Sequence, residues 1–516
     1  MTWEAEAEGE GEAEAGSGAG AEAAHFVLVP LMAQGHMIPM VDMARLLAER
    51  GARVTLITTP VNAARIRPII DRVSRSNLPV AFEELPFPCA ELGLPEGHEN
   101  IDLITQHDGF RTFFDALRLL RGPLERYLRA CSPRPSCIVA DGCNGWTADV
   151  ARRLRIPRFV FHGPSCFYSL CDYNMMRHGV YERVTDYSER FVVPEVPVRV
   201  EVNRAQAPGF FNSPGWETER DESIAAEDTA DGVVVNTFAE LERPFIECYE
   251  KALGKKVWTL GPLCLYNKDA EGMAARGNSA AVDHRRVVAW LDTREPGSVV
   301  YVSFGSLALS RQAQLVEIGA ALAASQRPFI WVIKSAELVP EMGAWLRDEF
   351  EEATRERGLV VKGWSPQLTV LSHRAVGGFV THCGWNSLLE AIAMGVPVLT
   401  WPRFADQFLN ERLVVDVLGV GVSIGAKMPT SVLHEDSVAL VKREEVERAV
   451  ERLMDGGEEG EERRRRSKEL GEKAKKAMEE GGSSYVNTAE LIQSVMLGRE
   501  GESKDIEDVK EKLVLL

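Results

Sequence analysis

Residues 380–391, VTHCGWNSLLEA, bring several polar side chains to the point where an apolar strand runs into a helix. The first turn of a helix leaves backbone N–H groups without partners, and with the helix dipole they carry about half a positive charge. His382, Asn386 and Ser387 add donors beside these N–H groups, and Gly384 allows a close approach of the backbone. The combination is typical of a phosphate site. The alternative is a helix whose Asn and Ser side chains only cap its own end.

A second polar joint follows another apolar strand of the same half of the chain. The stretch SFGS, residues 303–306, again places a glycine and a serine where a predicted strand ends. Because the carboxyl ends of parallel strands lie along one edge of a sheet, Ser306 is positioned to hold the same phosphate groups from the other side. This second joint favours an anion site over a simple helix cap at residues 380–391.

A candidate for proton transfer lies in the first half of the chain. His36 follows the first predicted strand, and Asp141 ends the later strand SCIVAD. An aspartate that accepts from one imidazole nitrogen leaves the other free to take a proton, and a positioned base contributes about 10²–10⁴-fold to a rate. The alternatives are a structural loop histidine at residue 36 and a helix cap at residue 141. The sequence alone does not bring the two residues together.

The elements that must position these residues alternate between short apolar strands and helices. Such βαβ units pair in parallel with right-handed crossovers. The pattern predicts two series, with strands over 25–30, 53–58, 79–85, 136–141, 158–162, 232–237 and 256–262, and then over 298–306, 328–333, 358–364, 375–382 and 396–401. Helices are predicted around 110–130 and from Trp146, and over 310–325, 385–394 and 405–418, while 172–231 reads as long loops that shape a substrate pocket.

We therefore predict an α/β protein with two Rossmann-like, doubly wound domains that face a cleft. Residues 1–24 alternate Glu, Ala and Gly, bury too little surface to order, and are predicted to form a disordered acidic tail. The predicted divisions that follow are an N-terminal domain over 25–262, a linker over 263–282, a C-terminal domain over 283–483, a C-terminal helix over 484–498 that packs back on the N-terminal domain, and a charged tail over 499–516.

Charge and composition exclude several classes of partner. The formal net charge is −18, which argues against a protein that binds nucleic acid or an anionic membrane surface. No apolar run approaches the roughly 20 residues that span a bilayer, and the acidic N-terminus does not look like a secretory signal. Nine cysteines are scattered without zinc spacing. We therefore expect a cytoplasmic protein with reduced thiols, no metal and no stable membrane anchor.

The 44 residues from Trp364 to Gln407, WSPQLTVLSHRAVGGFVTHCGWNSLLEAIAMGVPVLTWPRFADQ, resemble the plant secondary-product glycosyltransferase box. The resemblance extends from about residue 25 to 498 through AQGHMIPM, EGHENID, WTLGPL, SFGS and EGGSSYVN. These motifs are most similar to the branch of plant UDP-dependent glycosyltransferases that acts on flavonoids, terpenoids and steroids. The resemblance implies a GT-B fold, with the acceptor bound by the N-terminal domain and the UDP-sugar by the C-terminal domain.

The same resemblance implies a role for each matching residue. His36 and Asp141 correspond to a catalytic His–Asp dyad. The residues of the donor site would be Trp364 stacked on the uracil, Ser365 and Gln367 at the base edge, Glu390 on the ribose hydroxyls, Ser306, His382, Asn386 and Ser387 on the diphosphate, and Trp385, Asp406 and Gln407 on the sugar. Ser365 is a small departure, since the family usually has Ala there.

Two positions bear on the choice of sugar. Trp385, where an Arg would pair with a carboxylate, argues against UDP-glucuronic acid, and Gln407, where some members have His, resembles glucose-using members. The implied function is inverting transfer of glucose from UDP-glucose to a hydroxyl of a small apolar plant metabolite, giving a β-O-glucoside. No cofactor is expected, UDP-glucose being a co-substrate, and the protein is expected to be a monomer.

The acceptor pocket is poorly specified by the sequence. Phe110, Phe113, Phe114, Phe167 and Tyr168 can line an apolar pocket for the acceptor, and core packing is the alternative for each.

Other functions remain as alternatives. An NAD(P)-dependent dehydrogenase would need G-x-G-x-x-G after the first strand, and LVPLMAQGH lacks those glycines. A catalytically silent nucleotide-sugar binder would be expected to have lost the base or the phosphate turn, yet His36, Asp141 and His382 are present. The same chemistry with another UDP-sugar is the remaining alternative.

Overall fold

The computed structural model describes residues 23–104, 107–207, 215–430 and 439–514, without the side chains of residues 107–108 and 499–514. Almost all of the acidic tail predicted over 1–24 lies outside the described residues. Two parallel sheets with helices on both faces form the α/β architecture that the sequence predicts. The domain boundaries stay predictions.

The first sheet has seven parallel strands in the order β3-β2-β1-β4-β5-β8-β9. Its central strands are buried along their whole length, as expected where helices cover both faces. The strands of this sheet are β1 (His25–Val29), β2 (Arg53–Thr58), β3 (Val80–Glu84), β4 (Cys137–Asp141), β5 (Arg158–His162), β8 (Gly232–Val235) and β9 (Val257–Thr259), and an antiparallel hairpin of β6 (Arg190–Val192) and β7 (Glu201–Asn203) precedes β8.

The helices of the first half connect these strands. They are α1 (Gln34–Glu49), α2 (Pro60–Arg65), α3 (Arg67–Arg75), α4 (His107–Leu119), α5 (Arg121–Ala130), α6 (Thr147–Leu154), α7 (Cys166–Arg177), α8 (Val180–Arg183), α9 (Glu217–Asp228) and α10 (Ala239–Leu253). Helix α1 follows β1 after four residues, so the short turn places the first residues of α1 at the carboxyl edge of the sheet.

The second sheet has six parallel strands in the order β12-β11-β10-β13-β14-β15. They are β10 (Val299–Ser303), β11 (Phe329–Ile333), β12 (Gly358–Lys362), β13 (Val376–Thr381), β14 (Val398–Thr400) and β15 (Gly421–Ser423). The remaining helices are α11 (Ala270–Ala274), α12 (His284–Asp292), α13 (Gln312–Ala324), α14 (Pro340–Trp345), α15 (Glu351–Thr354), α16 (Gln367–Leu371), α17 (Trp385–Met394), α18 (Gln407–Arg412), α19 (Arg443–Leu453), α20 (Glu458–Met478) and α21 (Ser483–Val514), and π-helical turns follow α14 and α18.

Several elements differ from the prediction. The stretch 172–231 is not only loop, because it contains the β6–β7 hairpin and the twelve-residue helix α9. The sequence of α9, ETERDESIAAED, is acidic and nearly without an apolar stripe, which hides the helix from a periodicity argument. The helix predicted over 110–130 is two helices, α4 and α5, and the short edge strand β15 was not predicted.

The end of the chain returns to the first sheet. Helix α20 packs against α17 and α10, and α21 then packs against β9. The amide of Asn487 donates to the hydroxyl of Thr259 at 2.8 Å, and Ser484 donates to the carbonyl of Gly261. The chain therefore passes between the two sheets twice, once before α12 and once between α20 and α21. Among the residues that the model describes, no helix combines the length and the apolar character needed to cross a bilayer.

Gly377 lies where the pairing of β13 with β10 shifts register. A Cβ atom at this position would lie 2.0 Å from the carbonyl oxygen of Gly297, which is backbone and cannot move aside as a side chain would. We expect Gly377→Ala to lower stability by about 1–3 kcal/mol and the melting temperature by about 2–10 °C. Thermal unfolding followed by circular dichroism measures the change. Gly456→Ala, at a glycine with no atom within 4 Å of the added Cβ, is the control and should melt like the wild type.

Candidate active site

The site lies in the cleft where the carboxyl edges of the two sheets face each other. The first turn of α1 from one sheet meets the first turn of α17 from the other. The amide nitrogen of Asn386 donates to the carbonyl oxygen of Gly35, which directly precedes His36. The proposed base and the proposed phosphate site are therefore neighbours across the cleft, as the sequence argument requires.

His36 and Asp141 form a hydrogen-bonded pair. The imidazole Nδ1 lies 2.7 Å from a carboxylate oxygen of Asp141, and the other oxygen accepts from the backbone N–H of Cys143 at 2.9 Å. Asp141 thus orients the histidine and fixes the turn directly after β4, but it does not cap α6, whose N-cap residue is Trp146 without a side-chain cap bond. The side chain of Asp141 is buried, whereas that of His36 is 29% exposed. Nε2 of His36 has no hydrogen-bond partner among the described residues and is free to meet an acceptor hydroxyl.

The electrostatics of this pair suit a base that works near neutral pH. Burial alone would lower the pKa of His36, but the charge of Asp141 and the hydrogen bond to it outweigh burial and raise this pKa above its usual value. In the same way, burial would raise the pKa of Asp141, but His36 holds it below its usual value. The aspartate therefore stays ionised and stabilises the imidazolium that forms when His36 takes a proton.

The start of α17 is not capped by its own side chains. Its N-cap residue is Gly384, and no side chain of the helix accepts from the exposed N–H groups. Asn386 is bonded to Gly35, and the hydroxyl of Ser387 instead accepts from the amide of Gln367 at 3.0 Å. Capping by Asn386 and Ser387 is therefore not what the structure contains. The backbone N–H of Trp385 faces the carboxylate of Asp406, and the N–H groups of Asn386 and Ser387 are the ones left for an anion.

His382 lies against the two glycines that flank it in space. A Cβ atom at Gly305 or at Gly384 would come within 2.5 Å of its ring, so both joints need glycine for the ring to fit, and Ser306 follows Gly305 in the same turn. Burial, together with the nearby charges of Lys334 and Arg403, lowers the pKa of His382 to about 3. The imidazole is consequently neutral at physiological pH, and its buried Nδ1 has no partner among the described residues.

Trp385 is placed differently from the sequence expectation. Its indole N–H donates to the backbone carbonyl of Asn236 at 2.9 Å, and the amide of Asn236 approaches Asn386 at 3.4 Å. The indole N–H is therefore occupied by the opposite domain, so a sugar contact of Trp385 would have to come from the ring or the backbone. Sequence reasoning missed Asn236, whose only signal was its position at the end of the strand GVVVNT.

Gln407 and Asp406 begin α18 beside this joint. The carbonyl oxygen of the Gln407 side chain accepts from the backbone N–H groups of Arg403 and Phe404 at 2.8 and 3.1 Å. Its amide nitrogen has no partner among the described residues and is left to donate. Burial raises the pKa of Asp406 to about 6, and Asn410 donates to its carboxylate at 2.6 Å. Asp406 also lies close enough to His36 for each to shift the pKa of the other.

The residues expected at the nucleoside are Trp364, Ser365, Gln367 and Glu390. Ser365 is buried, and its carbonyl accepts from the N–H of Gln367 at 2.8 Å. The amide of Gln367 donates to Glu390 at 2.9 Å, so this glutamine supports the carboxylate. Glu390 is 4% exposed and also pairs with Arg276. Sequence reasoning missed Arg276 because linker composition gives no sign of a buried ion pair.

The aromatic residues named for the acceptor pocket divide between core and cleft. Phe113 and Phe167 are fully buried, and Phe113 packs on Phe87 with ring centroids 5.4 Å apart. Tyr168 is only partly buried and lies near Asp406, which places it by the cleft. The hydroxyl of Ser165 accepts from the N–H of Tyr168 at 3.0 Å, so this serine caps α7.

Comparison with known proteins identifies the family. A family model described as UDP-glucoronosyl and UDP-glucosyl transferase matches residues 277–452, and a model of the glycosyltransferase N-terminal domain matches residues 22–265. UDP-glycosyltransferase 73C6 of Arabidopsis thaliana is 47% identical over 92% of this chain and 96% of its own.

Solved structures agree with the sequence match. Glycyrrhiza uralensis UGT73P12, complexed with glycyrrhetinic acid 3-O-monoglucuronide, superposes with a TM-score of 0.86 at 36% identity over 95% of this chain and 99% of its own. Phytolacca americana UGT2, complexed with UDP-2fluoro-glucose and pterostilbene, gives a TM-score of 0.72 at 27% identity over 92% and 99%. The dehydrogenase alternative is therefore wrong. The chain belongs to the plant family 1 UDP-glycosyltransferases, has the GT-B fold, and is an enzyme that transfers a sugar from a UDP-sugar to an acceptor.

Proposed function

We propose that this enzyme transfers glucose from UDP-glucose to a hydroxyl of a small apolar plant metabolite, such as a flavonoid, terpenoid, steroid or other phenolic, with inversion to a β-O-glucoside. The observation that carries the proposal is the placement of the His36–Asp141 pair directly across the cleft from the uncapped start of α17. One group is suited to take a proton and the other to hold a diphosphate. Phytolacca americana UGT2, a structural neighbour, is complexed with UDP-2fluoro-glucose and pterostilbene, which supports the choice of ligands.

The reaction is a single displacement. Nε2 of His36 takes the proton of the acceptor hydroxyl while the oxygen attacks the anomeric carbon from the side opposite UDP. The new C–O bond forms as the bond from the anomeric carbon to the phosphate oxygen breaks, and UDP leaves with that electron pair. An α-linked donor therefore gives a β-linked product.

Groups of the protein are proposed to stabilise the negative charge that develops on the leaving UDP. The N–H groups at the start of α17, the neutral imidazole of His382 and the nearby charges of Lys334 and Arg403 lie where the diphosphate is proposed to bind. Among the described residues, no three His, Cys, Asp or Glu side chains are grouped so as to hold a metal ion. We propose that the enzyme works without a metal or cofactor, as a cytoplasmic monomer.

The amide nitrogen of Gln407 is proposed to read the sugar hydroxyls that distinguish glucose. Transfer from another UDP-sugar is the second candidate, since the ligand of Glycyrrhiza uralensis UGT73P12 carries a glucuronosyl group. Mass spectrometry of products from UDP-glucose, UDP-galactose and UDP-glucuronic acid with a panel of phenols and triterpenoids decides between them. A product that carries only a sugar other than glucose would refute the proposed donor.

Removing the base should abolish transfer without abolishing nucleotide binding. In His36→Ala, we expect the transfer rate to fall by about 10²–10⁴-fold, because the variant loses the imidazole that takes the proton. The dissociation constant for UDP, measured by calorimetry, should change by less than about threefold, since His36 makes no nucleotide contact. His178→Ala, at a partly exposed histidine outside the cleft, is the control. Survival of transfer in His36→Ala would show that residue 36 is not the base.

The Asp141 carboxylate should set the acid limb of the pH profile. His36 must be neutral to act as a base, so the rate falls as the pH drops through its raised pKa. Asp141→Asn removes the negative charge, which should move the midpoint of kcat/KM to lower pH while the plateau falls by about 10²–10⁴-fold. Glu227→Gln removes the carboxylate that pairs with His162 at 3.1 Å and should leave the midpoint in place. An unmoved midpoint in Asp141→Asn would contradict the assignment.

Substitution at residue 407 should change the choice of sugar. Gln407→His should lower the rate with UDP-glucose relative to that with UDP-galactose, which a coupled UDP-release assay measures. Gln407→Glu is the matched control, because it keeps the oxygen that accepts from Arg403 and Phe404 but replaces the donating nitrogen. If the amide nitrogen contacts the sugar, the Glu variant should also lose rate with UDP-glucose. An unchanged ratio in the His variant would remove Gln407 from the sugar contact.

A further inference from the structure

Arg276 bridges the two halves of the molecule from within the segment that connects them. Its Nε donates to Asp42 at 2.7 Å, and its Nη1 pairs with Glu390. Asp42 lies on α1 of the first half and Glu390 on α17 of the second. The guanidinium is therefore the central member of an Asp–Arg–Glu chain that crosses the cleft beside the nucleoside end of the donor site.

All three groups are buried. The side chains are 6% exposed for Arg276, 1% for Asp42 and 5% for Glu390. Two carboxylates removed from water need a cation, and removing that cation costs far more than an exposed ion pair would. Burial opposes the charge of Arg276, but Glu390 and Asp42 more than offset this and raise the pKa of the guanidinium. The bridge is thus a fixed part of the closed cleft.

Two protein contacts orient the carboxylate of Glu390. Arg276 binds one carboxylate oxygen, and Gln367 donates to the other at 2.9 Å. Each oxygen has a second lone-pair direction, so the carboxylate can still accept from the two hydroxyls of a ribose. Because Arg and Gln fix both oxygens, the remaining acceptor directions are fixed as well.

The residues that follow Arg276 form a wall against Trp364. Gly277 has a φ of +94°, and a Cβ atom there would lie 2.4 Å from the six-membered ring of the indole. The N–H of Ala281 donates to the carbonyl of Trp364 at 2.8 Å, and Gln34 of α1 donates to Asn278 at 2.8 Å. The connecting segment therefore touches both residues to which the uracil and the ribose are assigned.

We propose that Arg276 is a positioning residue of the donor site: by bridging Asp42 and Glu390 it orients the Glu390 carboxylate toward the ribose hydroxyls and makes nucleotide recognition depend on the closed arrangement of the two domains. The inference rests on the proposed function, in which Glu390 accepts from the ribose. It assigns to the connecting segment a part in reading the nucleotide.

The experiment compares the binding of UDP with that of 2′-deoxy-UDP, which lacks one of the two hydroxyls. In the wild type, calorimetry should give a dissociation constant about tenfold lower for UDP, as expected for one hydrogen bond to a charged group. In Arg276→Met this ratio should fall to about 2 or less, because Glu390 loses the partner that orients it. Arg276→Lys, which keeps the charge, should restore part of the ratio. A purely structural role would lower the melting temperature and leave the ratio unchanged.

Two further variants make the test specific. Arg72→Met removes the pair that ties Asp269 of the same segment to α3, far from Glu390, and should keep the wild-type ratio. Asp42→Asn weakens the contact of Arg276 with α1 and leaves Glu390 and Gln367 unchanged. It should also lower the ratio of the two dissociation constants, and it replaces Arg276→Met in the test if that variant does not fold.

The outcomes separate the inference from the proposed function. A wild-type ratio retained in both Arg276→Met and Asp42→Asn overturns the role of Arg276. Tighter binding of UDP in Arg276→Met also overturns it, since the guanidinium would then compete with the ribose for Glu390. Glu390→Gln should bind UDP and 2′-deoxy-UDP with similar dissociation constants, even with Arg276 in place. If Glu390→Gln keeps the wild-type ratio, or if the wild type does not distinguish the two nucleotides, the ribose contact of the proposed function fails along with the inference.

Discussion

The contact between the first turn of α1 and the first turn of α17 is the constraint on which the site depends. Parallel sheets gather loops and helix starts along their carboxyl edges, so a cleft between two such edges collects the polar groups of both. The Asn386–Gly35 hydrogen bond joins these edges at one point, next to His36 on one side and to the uncapped N–H groups on the other. In the proposed reaction, this contact brings proton transfer and leaving-group stabilisation to the same bond.

Buried charge within the cleft is arranged in matched sets. Asp141 faces His36, and Arg276 faces Asp42 and Glu390. The first set balances in charge when His36 takes a proton, and the second balances once Arg45, 3.7 Å from Asp42, is included. Such matching is how an acidic chain can hold ionised groups away from water. The phosphate end is the exception, because the positive charges of Lys334 and Arg403 lie near His382 and the start of α17 and together favour an anion. The diphosphate of a UDP-sugar is such an anion.

Much of this arrangement could be predicted from the sequence. Every strand of both sheets except β15 was located to within a few residues and α17 at its observed bounds, because short apolar runs with glycine-rich joints leave little choice of structure. The sequence placed His36 and Asp141 at two strand ends of one sheet, and the family resemblance alone implied that they pair. The bridge through Arg276 could not be predicted, since it joins residues more than a hundred positions apart through a segment that has no pattern of its own. The hydrogen bond of the Trp385 indole N–H could not be predicted for the same reason, because its acceptor, the carbonyl of Asn236, lies in the other domain.

The return of α21 to β9 has a mechanical consequence. A single connection between two bodies allows them to swing and twist in any direction, whereas two connections define a line. Because the chain crosses between the sheets before α12 and again before α21, relative rotation of the two lobes is restricted mainly to the axis through these two crossings. Closure along this rotation brings the first turn of α1, with His36, back to the start of α17.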